Sequence, residues 1–345
     1  MLPGAACLIT TQYCLIATSE RYLPTRLGYL LIDGFALMSY APVIEPFRAA
    51  NRLSGEDHYV WRHYSVDGSP ALASNGVTLA VDGSVESMGD IDMLFVCAGG
   101  NPALFRDKGT FAQLRRAARF GVQLVGVSGG PFILARAGLL DGYRCTIHWE
   151  HEAAFLETFT TPRLERGLFV LDRDRTTCAG GLAGLDLAVT LISRDFGPRL
   201  ARRVSDWYIQ AEQRHAGGAQ RPDPGQRYRI SSEGLARTLS AMEENLGEPL
   251  DRSSLASVAK MSVRQLERLF AAQLGTTIAV HYLSLRLERA RRLLAETGMT
   301  VAEVATASGF ANASHFSREY KRHFSMPPSA SRSGSIAGHI RPSAI

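Results

Sequence analysis

The sequence has few cysteines, and their placement excludes two common uses of the thiol. Five are present, at Cys7, Cys14, Cys97, Cys145 and Cys178. A disulfide framework typically uses an even set, and a structural zinc site typically uses Cys-X-X-Cys pairs. Neither pattern occurs, so we expect no disulfide-stabilised fold and no metal site, and nothing in the sequence indicates a cofactor.

Long apolar runs are also missing. No stretch reaches the roughly 20 residues that a membrane-spanning helix needs. The mildly apolar stretch at 5–17 is interrupted by polar residues at 10–12 and is preceded by no basic residue, which makes it a poor signal peptide. We therefore expect residues 1–25 to form a poorly ordered leader, and the protein to be cytoplasmic with no membrane partner.

Positive charge is concentrated at one end of the chain. The 345 residues carry a net charge of +5, and 46% of them are hydrophobic, which suits two domains with ordinary cores. Residues 221–345 hold 17 Lys and Arg against 11 Asp and Glu, whereas the remainder holds 21 against 22. A solvated basic face is one interpretation of this excess, and a surface that faces phosphates is the other.

A helical pattern occurs twice in this basic region. The copies run from residue 255 to 274 and from 301 to 324, and each has a short helix, a turn and a second helix. We expect Asp251 and Ser262 to cap helices of the first copy, and Gly275 to end its second helix. Residues 281–296 predict a connecting helix of about 24 Å. Such a rod suits two recognition helices about one DNA turn, or about 34 Å, apart.

The residues of this region resemble the AraC/XylS family of transcription regulators. The matching segments are LRLERARRLL at 285–294, VAEVA at 301–305, SHFSR at 314–318 and FSMPP at 324–328, with Ser325 where glycine is usual. The resemblance implies DNA contacts from two recognition helices. The residues concerned are Arg264, Glu267 and Arg268 in the first, and Ser314, His315, Arg318 and Lys321 in the second. We expect Lys321, Arg322 and Arg289 to meet phosphates, or no part of the DNA, rather than bases.

Strand-like and helix-like patterns alternate through the first two hundred residues. Apolar runs at 27–32, 93–97 and 122–127 indicate buried strands, 59–66 alternates like a strand, and 42–53 and 103–120 have helical spacing. The alternation predicts an α/β domain with a parallel sheet flanked by helices. Ligands bind such sheets beyond the C-terminal strand ends, which here are followed by Gly99-Gly100-Asn101 and by Ser128.

Ser128 lies at the tip of a strand, tight turn and helix that has the shape of a nucleophile elbow. The segments GVSGGPFILA at 126–135, TIHW at 146–149 and AGGLAGLD at 179–186 resemble the ThiJ/PfpI-type, class I glutamine amidotransferase-like fold. Catalytic members carry cysteine at the elbow, and a serine hydroxyl there needs an oriented base. We therefore expect a non-catalytic elbow that binds a ligand; an elbow with a purely structural role is also consistent with the sequence.

The resemblance also implies an effector site around the elbow. The segment IEPFRAAN at 44–51 matches the helix that carries the family's acidic residue, which would place Glu45 against the elbow. The predicted effector-binding set comprises Glu45, Gly100, Asn101, Ser128, Gly129, His148 and Trp149. A quaternary amine or an amino acid could pair with Glu45 and stack on Trp149. Alternatively, His148 and Trp149 pack at the domain edge.

The combined resemblance implies a ligand-responsive, sequence-specific regulator, usually an activator of catabolic genes, that acts on double-stranded DNA. Further candidate partners are a small-molecule effector, RNA polymerase and a second copy of the chain. The predicted organisation is a leader at 1–25, an amidotransferase-like domain at 26–212, a linker at 213–228, an all-α DNA-binding domain with two helix-turn-helix units at 229–332, and a disordered tail at 333–345. The alternatives are an amidase-like or hydrolase-like enzyme fused to a DNA-binding module, and a nonspecific nucleoid protein.

Overall fold

The computed structural model describes residues 23–334, which form an α/β N-terminal domain followed by a helical C-terminal domain. The strands are β1 Thr25–Leu31, β2 Tyr59–Ser65, β3 Ala71–Leu72, β4 Thr78–Leu79, β5 Gly83–Ser84, β6 Met93–Ala98, β7 Gln123–Ser128, β8 Arg144–Cys145, β9 Arg163–Leu164, β10 Phe169–Asp172 and β11 Arg175–Cys178. The helices of the N-terminal domain are α1 Leu37–Ser54, α2 Lys108–Arg119, α3 Gly130–Arg136, α4 Glu152–Thr158, α5 Ala183–Phe196 and α6 Pro198–Trp207.

The N-terminal sheet has seven strands in the order β10-β11-β7-β6-β1-β2-β5. Its neighbours pair in parallel except for β10 and β11. All six residues of β6 are buried, because helices cover both faces. One hydrophobic cluster joins the sheet to α1, α5 and α6, and another joins it to α2, α3 and α4. The predicted α/β fold is therefore confirmed.

The strand order changes direction between two central strands of the sheet. From β1 the chain first adds β2 on one side and later adds β6 and β7 on the other. The order therefore reverses between β1 and β6, and ligands of open α/β sheets bind at such a point. Gly99–Asn101 follow β6 at this edge, and Ser128 ends the neighbouring β7 in register with Ala98.

The C-terminal domain consists of helices. They are α7 Pro224–Arg227, α8 Glu233–Glu244, α9 Arg252–Ala259, α10 Val263–Leu274, α11 Ile278–Glu296, α12 Val301–Ala307, α13 Ala313–Phe324 and α14 Pro328–Gly334. One hydrophobic cluster joins α8, α9 and α10 with the start of α11, and the other joins the rest of α11 with α12 and α13. The two helix-turn-helix units, α9–α10 and α12–α13, therefore have separate cores joined by α11.

The local signals at the first unit act as predicted. The Asp251 side chain accepts a hydrogen bond from the Ser254 N–H, and Ser262 forms a capping box with Gln265. Gly275 ends α10 in the left-handed conformation, with φ 63°. The connecting helix begins at Ile278 rather than at residue 281, because the Thr277 side chain caps it. Its 19 residues make it about 28 Å long.

Both predicted ends of the chain are partly outside the described residues. The leader was predicted to reach residue 25, but β1 already begins at Thr25. The tail was predicted to be disordered from residue 333, but α14 continues to Gly334. Between residues 23 and 334, no helix combines the length and the apolar character needed to cross a membrane.

Candidate functional site

Ser128 stands in the strained turn that its sequence predicts. It has φ 59°, a conformation that is uncommon for residues other than glycine, and only 6% of its surface is exposed. The following helix can turn this tightly because two glycines leave room. A Cβ on Gly130 would lie 2.0 Å from the Val96 carbonyl oxygen, and one on Gly126 would lie 2.8 Å from the Pro131 nitrogen.

The wall beside Ser128 is formed by Ser39 and Gly180. A Cβ on Gly180, which has φ 84°, would lie 2.7 Å from both the Ser128 Cβ and the Ser39 Oγ. Ser39 in turn accepts a hydrogen bond of 2.9 Å from the Gly181 N–H. The start of α1 and the turn before α5 therefore meet at the elbow. Sequence reasoning missed Ser39, although it lies on the same helix as the predicted Glu45.

Glu45, predicted to lie against the elbow, is bound elsewhere. Its carboxylate pairs with Arg48 at 2.7 Å and accepts a hydrogen bond from the Tyr208 hydroxyl, and 44% of its side chain is exposed. It lies six residues after Ser39 on α1, which is about 9 Å along the helix axis. The expectation that Glu45 lies against the elbow was wrong, since Arg48, the Tyr208 hydroxyl just after α6 and solvent satisfy its carboxylate instead.

Trp149 lies close to the elbow, but the linker already covers it. The guanidinium carbon of Arg221 lies 4.3 Å from the centre of the indole ring. Gln220 accepts a hydrogen bond of 2.8 Å from the Trp149 N–H and donates to the carbonyl oxygens of Ile147 and Gly167. The linker is therefore docked on the N-terminal domain at this point, and the predicted cation site is filled by a side chain of the protein itself.

His148 follows the elbow closely. Its backbone N–H donates to the Ser128 carbonyl oxygen at 3.4 Å. Burial, together with the nearby His151, lowers the pKa of His148, so its imidazole is neutral at neutral pH. Its Nδ1 atom accepts a hydrogen bond of 3.4 Å from the Glu150 N–H, so the neutral ring has the Nε2–H donor left for a ligand.

Gly100 and Asn101 lie at the neighbouring strand end, as predicted from their position after β6. Gly100 has φ 58°, which a glycine adopts without strain. The Asn101 amide nitrogen donates to the Ala295 carbonyl oxygen of α11 at 2.6 Å. Its oxygen is buried with no hydrogen-bond partner within residues 23–334. Asn101 therefore contacts the C-terminal domain through its amide nitrogen, while its buried oxygen is left without a partner in the described residues. Gly129, also predicted for this site, donates its N–H to the Ala98 carbonyl oxygen at 2.9 Å.

Burial keeps the thiols near the elbow protonated at neutral pH. Burial raises the pKa of Cys178, at the end of β11, to about 12, and it raises the pKa of Cys97 further. Neither provides the thiolate that cysteine chemistry requires. In the part of the chain that the structure describes, no three His, Cys, Asp or Glu residues are grouped so that they could hold a metal ion.

The first recognition helix, α10, presents its predicted residues to solvent. Arg264, Glu267 and Arg268 are exposed, while Leu266 and Phe270 are buried in the core of the unit. Glu267 pairs with Arg252 of α9 at 3.2 Å. Two arginines thus project from a helix whose opposite face is fixed by packing, which is the arrangement that enters a major groove.

The second recognition helix, α13, shows the same arrangement. Ser314, His315, Arg318 and Lys321 are exposed over a core that contains Phe316 and Tyr320. The Asn312 side chain caps the helix by accepting a hydrogen bond of 2.7 Å from the His315 N–H. The sequence analysis missed this cap, although asparagine just before a periodic segment is a typical signal.

The arginines of α11 do not share one role. Arg286 donates to the Ser308 carbonyl oxygen and lies 4.2 Å from the centre of the Phe310 ring, so it supports the turn of the second unit. Arg289 pairs with Glu157 of the N-terminal domain at 3.2 Å. In this arrangement Arg289 therefore faces the N-terminal domain, and its contact with a phosphate stays a prediction.

Comparisons with known proteins match both domains. The DJ-1/PfpI family matches residues 30–194, and a helix-turn-helix domain family matches residues 255–334. The HTH-type transcriptional regulator GlxA of Rhizobium meliloti is 40% identical over 92% of this chain and 98% of its own length. The HTH-type transcriptional regulator GbdR of Pseudomonas aeruginosa is 39% identical over 91% of this chain and 86% of its own length.

A solved structure of an AraC family transcriptional regulator from Pseudomonas putida is 29% identical, with a TM-score of 0.49, over 54% of this chain and all of that one. Relatives that match nearly the whole chain are named as transcriptional regulators, which confirms the expectation of a regulator rather than an enzyme. The chain belongs to the family of HTH-type transcriptional regulators that join a DJ-1/PfpI domain to a C-terminal AraC-type helix-turn-helix domain.

Proposed function

We propose that this regulator reads two successive stretches of operator DNA in response to a small-molecule effector. The observation that carries the proposal is the pair of capped, solvent-facing helices, α10 and α13, each supported by its own core and joined by α11. Arginine recognises guanine through two hydrogen bonds, so Arg268 and Arg318 are the strongest candidates for base contacts. Lys321 is exposed and suits a phosphate.

The proposed effector site is the elbow around Ser128, and Glu45 is not part of it. The site contains neutral hydrogen-bonding groups from Ser128, Ser39, His148 and the unpartnered oxygen of Asn101. The backbone of Gly100 and Gly129 borders these groups. Met38 and Leu182, the chain neighbours of Ser39 and Gly181, are more than half exposed and provide an apolar rim. A cationic effector, such as a quaternary amine or an amino acid, would take the place of Arg221 on the Trp149 ring.

The strained backbone at Ser128 is compatible with ligand binding as well as with catalysis, because a strained turn holds its side chain in one position. We propose that the elbow of this chain is non-catalytic. The family resemblance further supports a homodimer that acts as an activator of catabolic genes through RNA polymerase.

Substitution of one arginine in each recognition helix tests the DNA-reading role. We expect Arg268→Ala or Arg318→Ala to weaken binding to a selected operator by roughly 1–3 kcal/mol and to relax base preference at one position. Competition binding at constant salt, with operator and random duplexes, measures both effects.

Arg322→Ala is the matched control, because Arg322 is exposed on α13 but pairs with Glu319 of the same helix. It should leave base preference unchanged. If the Arg268 and Arg318 variants lose the same affinity for random DNA as for the operator, these side chains contact phosphates only and the proposed base readout is wrong.

A further inference from the structure

One segment of the N-terminal domain, residues 146–157, contacts both the elbow and the C-terminal domain. We call residues 146–157 the coupling segment. At its start, the His148 N–H donates to the Ser128 carbonyl oxygen, which attaches the segment to the elbow. One turn later, the His151 N–H donates to the His148 carbonyl oxygen at 2.9 Å, and α4 begins at Glu152. The elbow is therefore joined to the start of α4 by two successive backbone hydrogen bonds, of 3.4 Å and 2.9 Å.

The coupling segment holds the C-terminal end of α11. The Nδ1 atom of His151 lies 3.0 Å from a carboxylate oxygen of Glu296, and only 4% and 8% of these side chains are exposed. Beside this bond, Asn101 donates to the Ala295 carbonyl oxygen, and Glu157 pairs with Arg289. Buried polar groups need their partners, so the contact favours one arrangement over a continuous range of positions.

The same segment contributes to the core of the second helix-turn-helix unit. Ala153 of α4 belongs to the hydrophobic cluster that contains Leu293 of α11, Val304 of α12 and Phe316 of α13. The cluster of the first unit takes its members from residues 228–285. Within residues 23–334, the N-terminal domain thus contributes a buried residue to the hydrophobic core of the second unit and none to that of the first.

We propose that the coupling segment transmits the state of the elbow to the second helix-turn-helix unit, by setting the position of the α11 end. This proposal rests on the proposed function, since it assumes that the chain binds DNA. The second unit begins at Val301, five residues after Glu296, so a displacement of Glu296 reorients α12 and α13. The first unit lies at the other end of α11. It follows the linker, which contacts Trp149 through Gln220 and Arg221.

Coupling between two sites is reciprocal, which gives a test that needs no effector. If the elbow acts on the second unit, DNA bound to that unit must act on the coupling segment. We expect a duplex selected from random sequence for binding to the full chain to change hydrogen–deuterium exchange in residues 146–157 by about fivefold or more.

The double variant His151→Leu/Glu296→Leu removes both partners of the buried bond, so neither His151 nor Glu296 is left without the other. It should still bind the duplex but lose most of the exchange response. Glu288→Gln is the matched control, because Glu288 lies on the same helix and pairs with Arg291 at 3.1 Å. It should respond as the wild type does. Arg289→Gln changes a partly exposed pair and should reduce the response without unfolding the chain.

The outcomes separate the two proposals. If no duplex is selected, the proposed function is wrong. If the wild type binds a duplex and exchange in residues 146–157 stays constant, the chain reads DNA but the coupling segment does not transmit. A full response in the double variant also contradicts the coupling. Should the double variant fail to fold, a full response in Arg289→Gln contradicts it instead.

Discussion

At the scale of single residues, Trp149 binds the linker through both its side chain and its backbone. Its indole ring packs against Arg221, and its backbone N–H is bound by Gln220 of the same linker. A positive group over an indole face is stabilised by the ring quadrupole, and the attraction grows when water is excluded. A cationic effector and Arg221 would therefore compete for the same surface, which would link effector binding to release of the linker.

Removal of Arg221 tests this competition. We expect Arg221→Gln to tighten binding of a cationic effector by about 0.5–2 kcal/mol, because the internal competitor is lost. Calorimetric titration of the full chain with betaine, carnitine and arginine measures the change.

Arg173→Gln is the control for this prediction, since Arg173 stacks on Tyr143 at 3.6 Å in the same domain. It should leave the affinity unchanged. If none of the three ligands binds the wild type or the Arg221 variant, the cationic effector is excluded.

The residues of the elbow were only partly predictable. Ser128 was found because glycines on both sides of a serine, between an apolar run and a helix, are specific to a strained turn. Glu45 was misplaced because the family match at 44–51 assigned it the position of the family's acidic residue, whereas Arg48 and Tyr208 bind its carboxylate near the surface. Ser39 was missed because the predicted helix started at Pro42, whereas α1 begins at Leu37 and contains two prolines.

At the scale of elements, the caps of the short helices matter because α9 and α12 have only eight and seven residues. Helices of this length are marginal alone and depend on packing and capping. Hydrogen bonds from the Ser254 backbone and the Ser253 hydroxyl lower the pKa of Asp251. The ionised carboxylate is thus the form that stabilises the start of α9.

The Asp251 cap predicts a pH-dependent stability. Since the folded state lowers the pKa of Asp251, its contribution is present above the ordinary aspartate pKa and is lost as the pH falls through the lowered value. Asp251→Asn keeps a capping side chain but does not titrate. We therefore expect the melting temperature of the wild type to fall more than that of the variant between about pH 7 and about pH 3.

Circular dichroism melts of both proteins across this range measure the difference. An equal fall in the two proteins would mean that the Asp251 carboxylate contributes nothing as an anion. Asp251 is predictable from sequence, as are Ser262 and Gly275, because caps depend on residue type and local spacing. The short strands β8 and β9 were not, since two-residue strands leave no periodic pattern.

At the scale of the whole molecule, the two domains form one connected structure. Sequence patterns predicted each domain, because apolar periodicity records which face of an element is buried. They did not predict the contacts of His151 with Glu296 or of Arg289 with Glu157, since the sequence pattern around a polar residue does not indicate which residue of another domain it pairs with. The linker was likewise predicted from its glycines and prolines, which did not indicate that Gln220 binds the backbone of Ile147, Trp149 and Gly167.

The central claim is that α11 holds two major-groove readers at a fixed separation, and the spacing of the operator tests it most directly. An operator selected with the full chain should contain two blocks about one DNA turn apart. Insertion of about five base pairs between the blocks rotates one of them by roughly half a turn. We predict that this insertion lowers the affinity by at least about tenfold, because only one block can then be read. Affinity that stays within about twofold of the original would contradict the account.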